Sequence, residues 1–308
     1  MPLVASRSSS NRAPNPLGAR RPSTIRAVSS ERRSWKVGLS CCLIIFLALS
    51  AQGEWEPGNK PDPGRILTEA QEDAAAGRYE DALARHVWFH ENALKYAPAM
   101  RGVRLSFALS YWADLASKYP PALQRLRAIR NTAGEELRNG ADVVGPSDDC
   151  GGPEVWRAFS DFSAINRTLG DDVKTSVLFV WLDSNRPQVA LAVYDIAEPA
   201  LIGGKEYKLC GKYLDPDKSF QRMVRLRAET MKLVDDPGGP VESAKELKEF
   251  EEKSFSHKVA TLVALLAVNG RKEDAKRIAA EARKVQDDAG FRRLLSRAQN
   301  GDVPPPWP

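Results

Sequence analysis

Two histidines one helical turn apart, His86 and His90, are the one pair in the 308-residue sequence with the spacing of metal ligands. Side chains at positions i and i+4 lie on one face of an α-helix, so both imidazoles would reach a single ion. The third histidine, His257, is distant in the sequence, and a metal would therefore need a further ligand from another helix. The alternative is a pair of hydrogen-bonded histidines in a core or groove, and both interpretations stay open at this point.

Two of the four cysteines, Cys150 and Cys210, lie outside the apolar segment near the N-terminus. If this part of the chain is exported, the two thiols would pair and close a loop of about 60 residues. The chain entropy of such a loop predicts a stabilisation of about 4 kcal/mol. The alternative is two free thiols, with Cys210 packed on its own helix.

The signatures of common enzyme classes are missing from the sequence. It contains no Gly-rich phosphate loop, no His-Glu-x-x-His, no Gly-x-Ser-x-Gly and no Cys-x-x-Cys pair. Catalytic residues that are scattered along a chain leave no such signature, so an enzyme is disfavoured without being excluded. We therefore predict no catalytic residues and no cofactor.

The positive charge of the chain is concentrated at its N-terminus. Residues 1–36 contain eight basic residues and one acidic residue, a net charge of +7, whereas the whole chain has a formal charge of +5. The other residues together therefore carry −2, which gives no reason to expect a nucleic-acid partner. The composition of residues 1–36 predicts a disordered basic leader.

Residues 37–53 contain no charged side chain and include the apolar run Val37–Ala51. A basic region followed by an apolar run and small residues is typical of a signal peptide, and the alternative is an uncleaved membrane anchor. In both cases the basic leader places the following domain on the exported side of the membrane, in the cell envelope. Two other targeting signals fit the same residues. Arg32 and Arg33 loosely match a twin-arginine signal, and an Arg- and Ser-rich start is typical of mitochondrial import.

Residues 54–65 are rich in Pro and Gly and predict a linker, and residues 301–308 form a Pro-rich tail. Between them, residues 66–300 show apolar side chains at helical spacing and no alternating run that would predict a strand. The irregular stretch 139–152 is a candidate boundary between sub-domains. The predicted helices cover residues 66–76, 79–97, 99–119, 121–138, 153–168, 171–184, 187–202, 204–214, 217–234, 241–269, 271–286 and 289–299.

A short turn pattern occurs four times in this helical region. Each copy has a turn-forming residue, then a basic residue, and an alanine five positions after the first residue. The copies begin at Gly77, Ser117, Asn185 and Gly270, and their alanines are Ala82, Ala122, Ala190 and Ala275. A small side chain one turn into a helix lets two helices approach closely. The pattern therefore predicts pairs of antiparallel helices.

The first copy reads Gly-x-Tyr-x-x-Ala, and the second shares its tyrosine and alanine, through residues Gly77, Tyr79, Ala82, Tyr119 and Ala122. In the third copy, Tyr194 and Ala197 follow in the second helix. These features resemble the tetratricopeptide repeat, whose turn carries the same signature and whose second helix has an aromatic and a small position. The copies are not spaced by the constant 34 residues of that family, and the Trp-Leu-Gly pattern of its first helix is missing.

The resemblance implies antiparallel helix pairs stacked as an α-solenoid, and a scaffold that binds a protein or peptide partner on a concave surface. Together with the N-terminal segment, it predicts an exported or membrane-tethered binding protein without catalytic activity. Membrane contact would run through residues 37–53 if they are not cleaved. The alternative function is a metal-binding module or a metal-dependent enzyme centred on His86 and His90.

Overall fold

The regular elements of the computed structural model are all helices within the residues that it describes, which are 55–140, 154–235 and 241–307. The all-α class predicted from the sequence is confirmed for these residues. They form thirteen α-helices and a 3₁₀ turn at Pro98–Met100. The α-helices are α1 (Pro63–Ala75), α2 (Tyr79–Tyr96), α3 (Arg101–Arg104), α4 (Phe107–Lys118), α5 (Pro120–Asn139), α6 (Glu154–Thr168), α7 (Asp172–Asn185), α8 (Pro187–Gly203), α9 (Tyr207–Tyr213), α10 (Pro216–Val234), α11 (Val241–Val268), α12 (Lys272–Val285) and α13 (Ala289–Gln299).

Several helices begin at an aspartate whose carboxylate accepts hydrogen bonds from the first backbone N–H groups. Asp62 accepts from the second and third residues after it and starts α1, so the end of the predicted linker is already helical. Asp215 starts α10 in the same way, and Asp288 starts α13. Such caps satisfy N–H groups that have no partner within the helix. Short polar residues in the sequence thereby fix where these helices begin.

The four copies of the predicted turn adopt two different conformations. Gly77 and Gly270 both have a φ of 79°. In each of these turns the glycine N–H donates to the carbonyl three residues earlier, and the N–H of the following arginine donates to the carbonyl five residues before it. In the other two copies the first residues, Ser117 and Asn185, are still helical. The residue before the next helix, Tyr119 or Arg186, has a φ of −129° or −141° and is followed by a proline that begins that helix. The shared pattern therefore marks the positions of turns but not a single turn geometry.

The basic residues that follow two of the turns bind a neighbouring helix. Arg186 donates from Nη1 to the carbonyl of Leu137 at the end of α5, at 2.8 Å. Arg271 donates from Nη1 to the carbonyl of Leu214, just after α9, at 3.1 Å. The last carbonyls of a helix have no partner within it, so each guanidinium satisfies such a group and fixes one helix pair against the next.

Most helices that are neighbours in sequence pack against one another, and further contacts join α2 to α4, α4 to α6 and α6 to α8. Helices α5 and α6 also pack together, on either side of the predicted boundary at 139–152. The largest apolar cluster extends from α5 to α13. A smaller cluster is centred on Trp112, and another joins α1, α2 and α4.

Helix α11 is the central element of the C-terminal part. It contains 28 residues and contacts four other helices, α9, α10, α12 and α13. Its side chains Phe255, Val259 and Val263 are at most 1% exposed. At its end, Asn269 donates from Nδ2 to the carbonyl of Tyr207 at 2.8 Å, which fixes α9 against this end of α11.

The prediction of one continuous helix over residues 99–119 is wrong, because the chain interrupts that helix in the middle of this range. The chain forms the 3₁₀ turn and the single-turn helix α3, and then breaks at Ser106, where φ is −132° and ψ is −92°. Apolar periodicity continues through this stretch, which is why the sequence predicts one helix. The break accompanies the inward turn of Arg104, whose side chain is buried beneath α2.

Residues 1–54, which include the predicted leader and the apolar segment 37–53, lie outside the described residues, and so do residues 141–153. Within the described ranges, none of the helices combines the length and the apolar character needed to cross a bilayer. The membrane address of the chain therefore stays a prediction from its sequence.

Two glycine substitutions test the turn conformation. Gly270→Ala should lower the free energy of unfolding by about 1 kcal/mol, because a left-handed φ is strained for a residue with a Cβ. An added Cβ would have open space at Gly270 and equally at Gly102, which lies in α3 without a positive φ. Gly102→Ala should therefore stabilise the fold slightly, by about 0.5 kcal/mol, through its better helix propensity. Urea unfolding would measure the free energy of unfolding of both variants. Equal effects of the two substitutions would contradict the left-handed conformation assigned to Gly270.

Candidate functional site

His86 and His90 lie on the inner face of α2 and pack against Trp112 of α4. Their side chains are 2% and 5% exposed. The His86 ring stacks on the Trp112 indole with centroids 5.7 Å apart, and His90 meets the same indole edge-on at 6.1 Å. The indole N–H donates to the carbonyl of Ala122 at 3.1 Å. The i, i+4 spacing therefore places both rings on one face, and this face is directed into the protein.

Arg104 of α3 joins His90 to Asp161 of α6 in a buried cluster. Its Nη1 and Nη2 donate to the two carboxylate oxygens of Asp161 at 2.5 and 2.9 Å. Its Nε donates to the carbonyl of His90 at 2.6 Å, and Nη2 lies 3.0 Å from His90 Nε2. Arg104 and Asp161 are 7% and 3% exposed. Bidentate geometry with additional hydrogen bonds is what compensates for removing two charges from water.

This cluster determines the state of His90. A guanidinium can only donate, so His90 Nε2 accepts its hydrogen bond and the ring proton is assigned to Nδ1. The lone pair that a metal would require at Nε2 is thus already in use, and the adjacent positive charge opposes a cation. Over the described ranges, no cluster of three or more His, Cys, Asp or Glu side chains could hold a metal ion. The geometry favours the interior, hydrogen-bonded interpretation of His90.

Burial lowers the pKa of both histidines to about 4. For His86, desolvation is the cause, and neither ring nitrogen has a hydrogen-bond partner in the described part of the chain. For His90, desolvation is again the largest cause, and the positive charge of Arg104 adds to it. The nearby carboxylate of Asp161 acts in the opposite direction. Both rings are therefore neutral at pH 7.

An open cleft of about 500 Å³ lies between α2 and α5, above the Arg104–Asp161 pair. Its apolar wall consists of Leu94 on α2 and of Ala128, Ile129 and Ala133 on α5. Thr132 of α5 also lines the cleft, and Arg104 and Asp161 form its floor together with His90. The volume lies within the range of ligand-binding clefts. It provides an apolar surface bordered by charged groups.

Charged side chains bridge the rim of this cleft. Arg125 of α5 donates from Nη2 to Glu91 of α2 at 2.8 Å, and both side chains are more than 40% exposed. Arg157 of α6 lies 3.6 Å from Glu136 of α5, measured between Nη2 and Oε2. Lys95 completes the rim. Exposed pairs of this kind contribute little to stability and exchange partners at low cost, so the rim is suited to a ligand that carries charges of its own.

The predicted turn and packing residues occupy helix contacts. The four turn alanines are at most 2% exposed: Ala82, Ala122, Ala190 and Ala275. The rings of Tyr79 and Tyr119 lie 5.9 Å apart and join the first two turns. Tyr194 stacks on Tyr213 at 5.6 Å and donates to Glu198 at 2.8 Å, and Ala197 is fully buried beside it on α8. These contacts belong to helix packing and do not line the α2–α5 cleft.

Of the predicted cysteine pair, only Cys210 lies among the described residues. Cys210 is a free, fully buried thiol of α9, and burial raises its pKa to about 12. Cys150 lies outside the described residues, so the disulfide stays a prediction. In the reduced state, Cys210 behaves as an apolar core residue, because so high a pKa leaves almost no thiolate at neutral pH.

The sequence identifies the histidines of this site but not their partners. Arg104 lies in a stretch whose periodicity predicts one continuous helix, and Asp161 comes 57 residues later. One available signal is the position of Asp161 in α6 among side chains that are fully or almost fully buried, such as Phe159, Phe162 and Ile165. A carboxylate on such a face requires a buried cation, although its spacing does not tell which arginine supplies it.

No family model, curated protein or solved structure matches the chain. The geometry of the helices and of the cleft is therefore the basis on which its function is inferred.

The buried ion pair gives a first prediction for this site. Arg104→Met should lower the free energy of unfolding by about 3 kcal/mol, because it leaves the Asp161 carboxylate buried without its cation. The double variant Arg104→Met with Asp161→Leu should recover most of this loss, since it removes the uncompensated charge as well. Denaturant unfolding followed by circular dichroism checks both. Additive losses in the double variant would show that the two residues are not energetically coupled.

The low pKa values of the histidines give a second prediction. Because the folded-state pKa of about 4 lies below the ordinary 6.5, the unfolded chain binds more protons, and stability falls as the pH drops through this window. From pH 7 to pH 5 the loss should be about 2 kcal/mol per histidine. His86→Phe preserves the stacking on Trp112 without the titration and should reduce the loss by about 2 kcal/mol. Urea unfolding at the two pH values tests this, and equal losses in both proteins would contradict it.

Proposed function

We propose that this protein is a helical-repeat scaffold that binds a segment of a protein partner in the cleft between α2 and α5. The cleft is the observation that carries the proposal. Its apolar wall is complementary to apolar side chains of a peptide, and its charged rim is complementary to the peptide's charged groups. Antiparallel helix pairs stacked as a solenoid present extended surfaces for this purpose. No catalytic activity is part of the proposal.

The floor of the cleft favours binding over chemistry. Arg104 is engaged by Asp161 and by two atoms of His90, and His90 is neutral, so the charged and basic groups at the floor are occupied in holding the helices together. A floor fixed in this way presents a preorganised surface, which reduces the entropy that a ligand must lose on binding. The segment that fits best carries an apolar side chain for the α5 wall and charged groups for the rim.

The address of the protein forms the second part of the proposal. Residues 37–53 would either direct export and be cleaved or hold the domain at the membrane, so that the cleft meets its partner in the cell envelope. The support is the uncharged, apolar composition of this segment after a leader of net charge +7.

Site-specific photo-crosslinking in the native envelope tests the cleft. A photoreactive amino acid at Thr132, which is exposed and lines the cleft, should give a discrete protein adduct. The same amino acid at Arg127, which is exposed but is not among the cleft-lining residues, is the matched control and should give none. Adding Ala128→Trp should abolish the Thr132 adduct by filling the cleft. Equal adducts at both positions, or none at Thr132, would reject the cleft as the binding site.

A further inference from the structure

The C-terminal segment after α13 lies as an extended strap on the surface of α11. It begins at Gly301, whose φ is 88° and at which an added Cβ would stand 3.1 Å from a methyl carbon of Val268. Val303 packs on the main apolar cluster, and Pro304 is buried. The last described residue of the strap, Trp307, contacts His257 of α11. The segment thus starts at one end of α11 and finishes near its middle.

The dimensions of the two elements match. Val268 lies eleven positions after His257, and at 1.5 Å per residue this distance along the helix is about 17 Å. Trp307 lies six positions after Gly301, and at 3.1 Å per residue in a polyproline conformation this distance is about 19 Å. The run of three prolines, Pro304 to Pro306, favours that extended form before any contact is made.

The end of the strap is held by aromatic contacts. The Trp307 ring lies 4.9 Å from the His257 ring and 6.1 Å from the Phe250 ring, measured between centroids. Burial lowers the pKa of the His257 imidazole, and the backbone of Pro305 acts on the ring in the opposite direction, raising this pKa by less than burial lowers it. Pro306 approaches the end of α8, where an added Cβ on Gly203 would stand 3.8 Å from its ring. Proline-rich segments bind aromatic-lined surfaces because their polyproline helix is already formed before binding. Here the indole that follows the proline run makes the aromatic contacts with α11.

The strap does not fill the space around it. A cleft of about 470 Å³ adjoins Trp307, between α11 and the start of α13, and is lined among others by Glu252, Ser256 and Leu294. Phe250 is still 54% exposed beside the indole. Pro305 and Pro306 are also exposed. The surface therefore continues beyond the part that the strap covers, with the exposed Phe250 ring and a cleft lined by both apolar and charged side chains.

We propose that this surface of α11 is a docking site for a proline-rich segment with an aromatic residue on a partner protein. Residues 305–307 of the chain are its tethered occupant and compete with that partner. The strap indicates the kind of partner, because its own Pro-Pro-Trp segment is what lies on this surface. The site is separate from the α2–α5 cleft, so it stands or falls independently of the function proposed above.

The strap is weakly enough held to be displaced. Beyond Pro304 the strap is held by two contacts of the Trp307 ring and by the approach of Pro306 to Gly203, and Pro305 and Pro306 are exposed to solvent. Segments with so few buried contacts open locally at small cost in free energy. A short tether gives an effective concentration of about 1 mM, so the strap weakens a competing peptide without preventing its binding.

A truncated chain and a synthetic peptide test the proposal. The full chain and a version ending at Pro304, which retains the buried Val303 and Pro304, are titrated into fluorescently labelled Val-Pro-Pro-Pro-Trp-Pro. The truncated chain should bind the peptide about tenfold more tightly than the full chain, because it lacks the tethered competitor. The matched control peptide, with Ala in place of Trp, should bind neither form. Phe250→Ala in the truncated chain should weaken binding of the Trp peptide by about half an order of magnitude or more.

Several outcomes would overturn the proposal. Equal binding of the Trp and Ala peptides, equal affinities of the two chains, or no binding to the truncated chain would each reject the site. Dimerisation of the full chain that is lost on truncation would show that the occupant is the tail of a second copy. Circular dichroism checks that the truncated chain is folded. If it is not, full-length Trp307→Ala replaces it as the acceptor in the same peptide comparison, with the same expected and contrary results.

Discussion

The buried contact between Arg104 and Asp161 is the constraint on which the N-terminal half of the structure depends. A guanidinium placed in the interior must find acceptors, and these come from α2 and α6, so three helices have to be in place together. The same contact accompanies the break in the chain at Ser106, fixes the tautomer of His90 and forms the floor of the cleft. Local fold and candidate site therefore share one buried ion pair.

The helical character of the chain follows from its sequence because it rests on local rules. Prolines at helix starts, glycines with a left-handed φ at helix ends and apolar residues at helical spacing act within a few positions of one another. The break between α3 and α4 does not follow from these rules. It accompanies the burial of Arg104 against a carboxylate 57 residues away, and apolar periodicity contains no information about such a partner.

The candidate site is predictable to a similar extent. The i, i+4 spacing of His86 and His90 places both rings on one face of α2, but it does not distinguish a ligand from an interior residue. That distinction comes from Trp112 and Arg104, which belong to other helices. The cleft depends in addition on the distance between α2 and α5, which is a property of the packed helices and not of any single segment. The final prolines and Trp307 show the same limit, because the sequence marks a Pro-rich tail without indicating the surface of α11 beneath it.

The length of α11 and its central position have a consequence for how the domain loses its structure. In a one-dimensional array each unit contacts only its neighbours, so the terminal unit can fray while the rest stays folded. Here α11 contacts the helices α9, α10, α12 and α13. Melting of any of these elements exposes a helix that all the others share. The C-terminal third of the chain should therefore unfold as one cooperative block, in which the last helix resists local unfolding as well as the first.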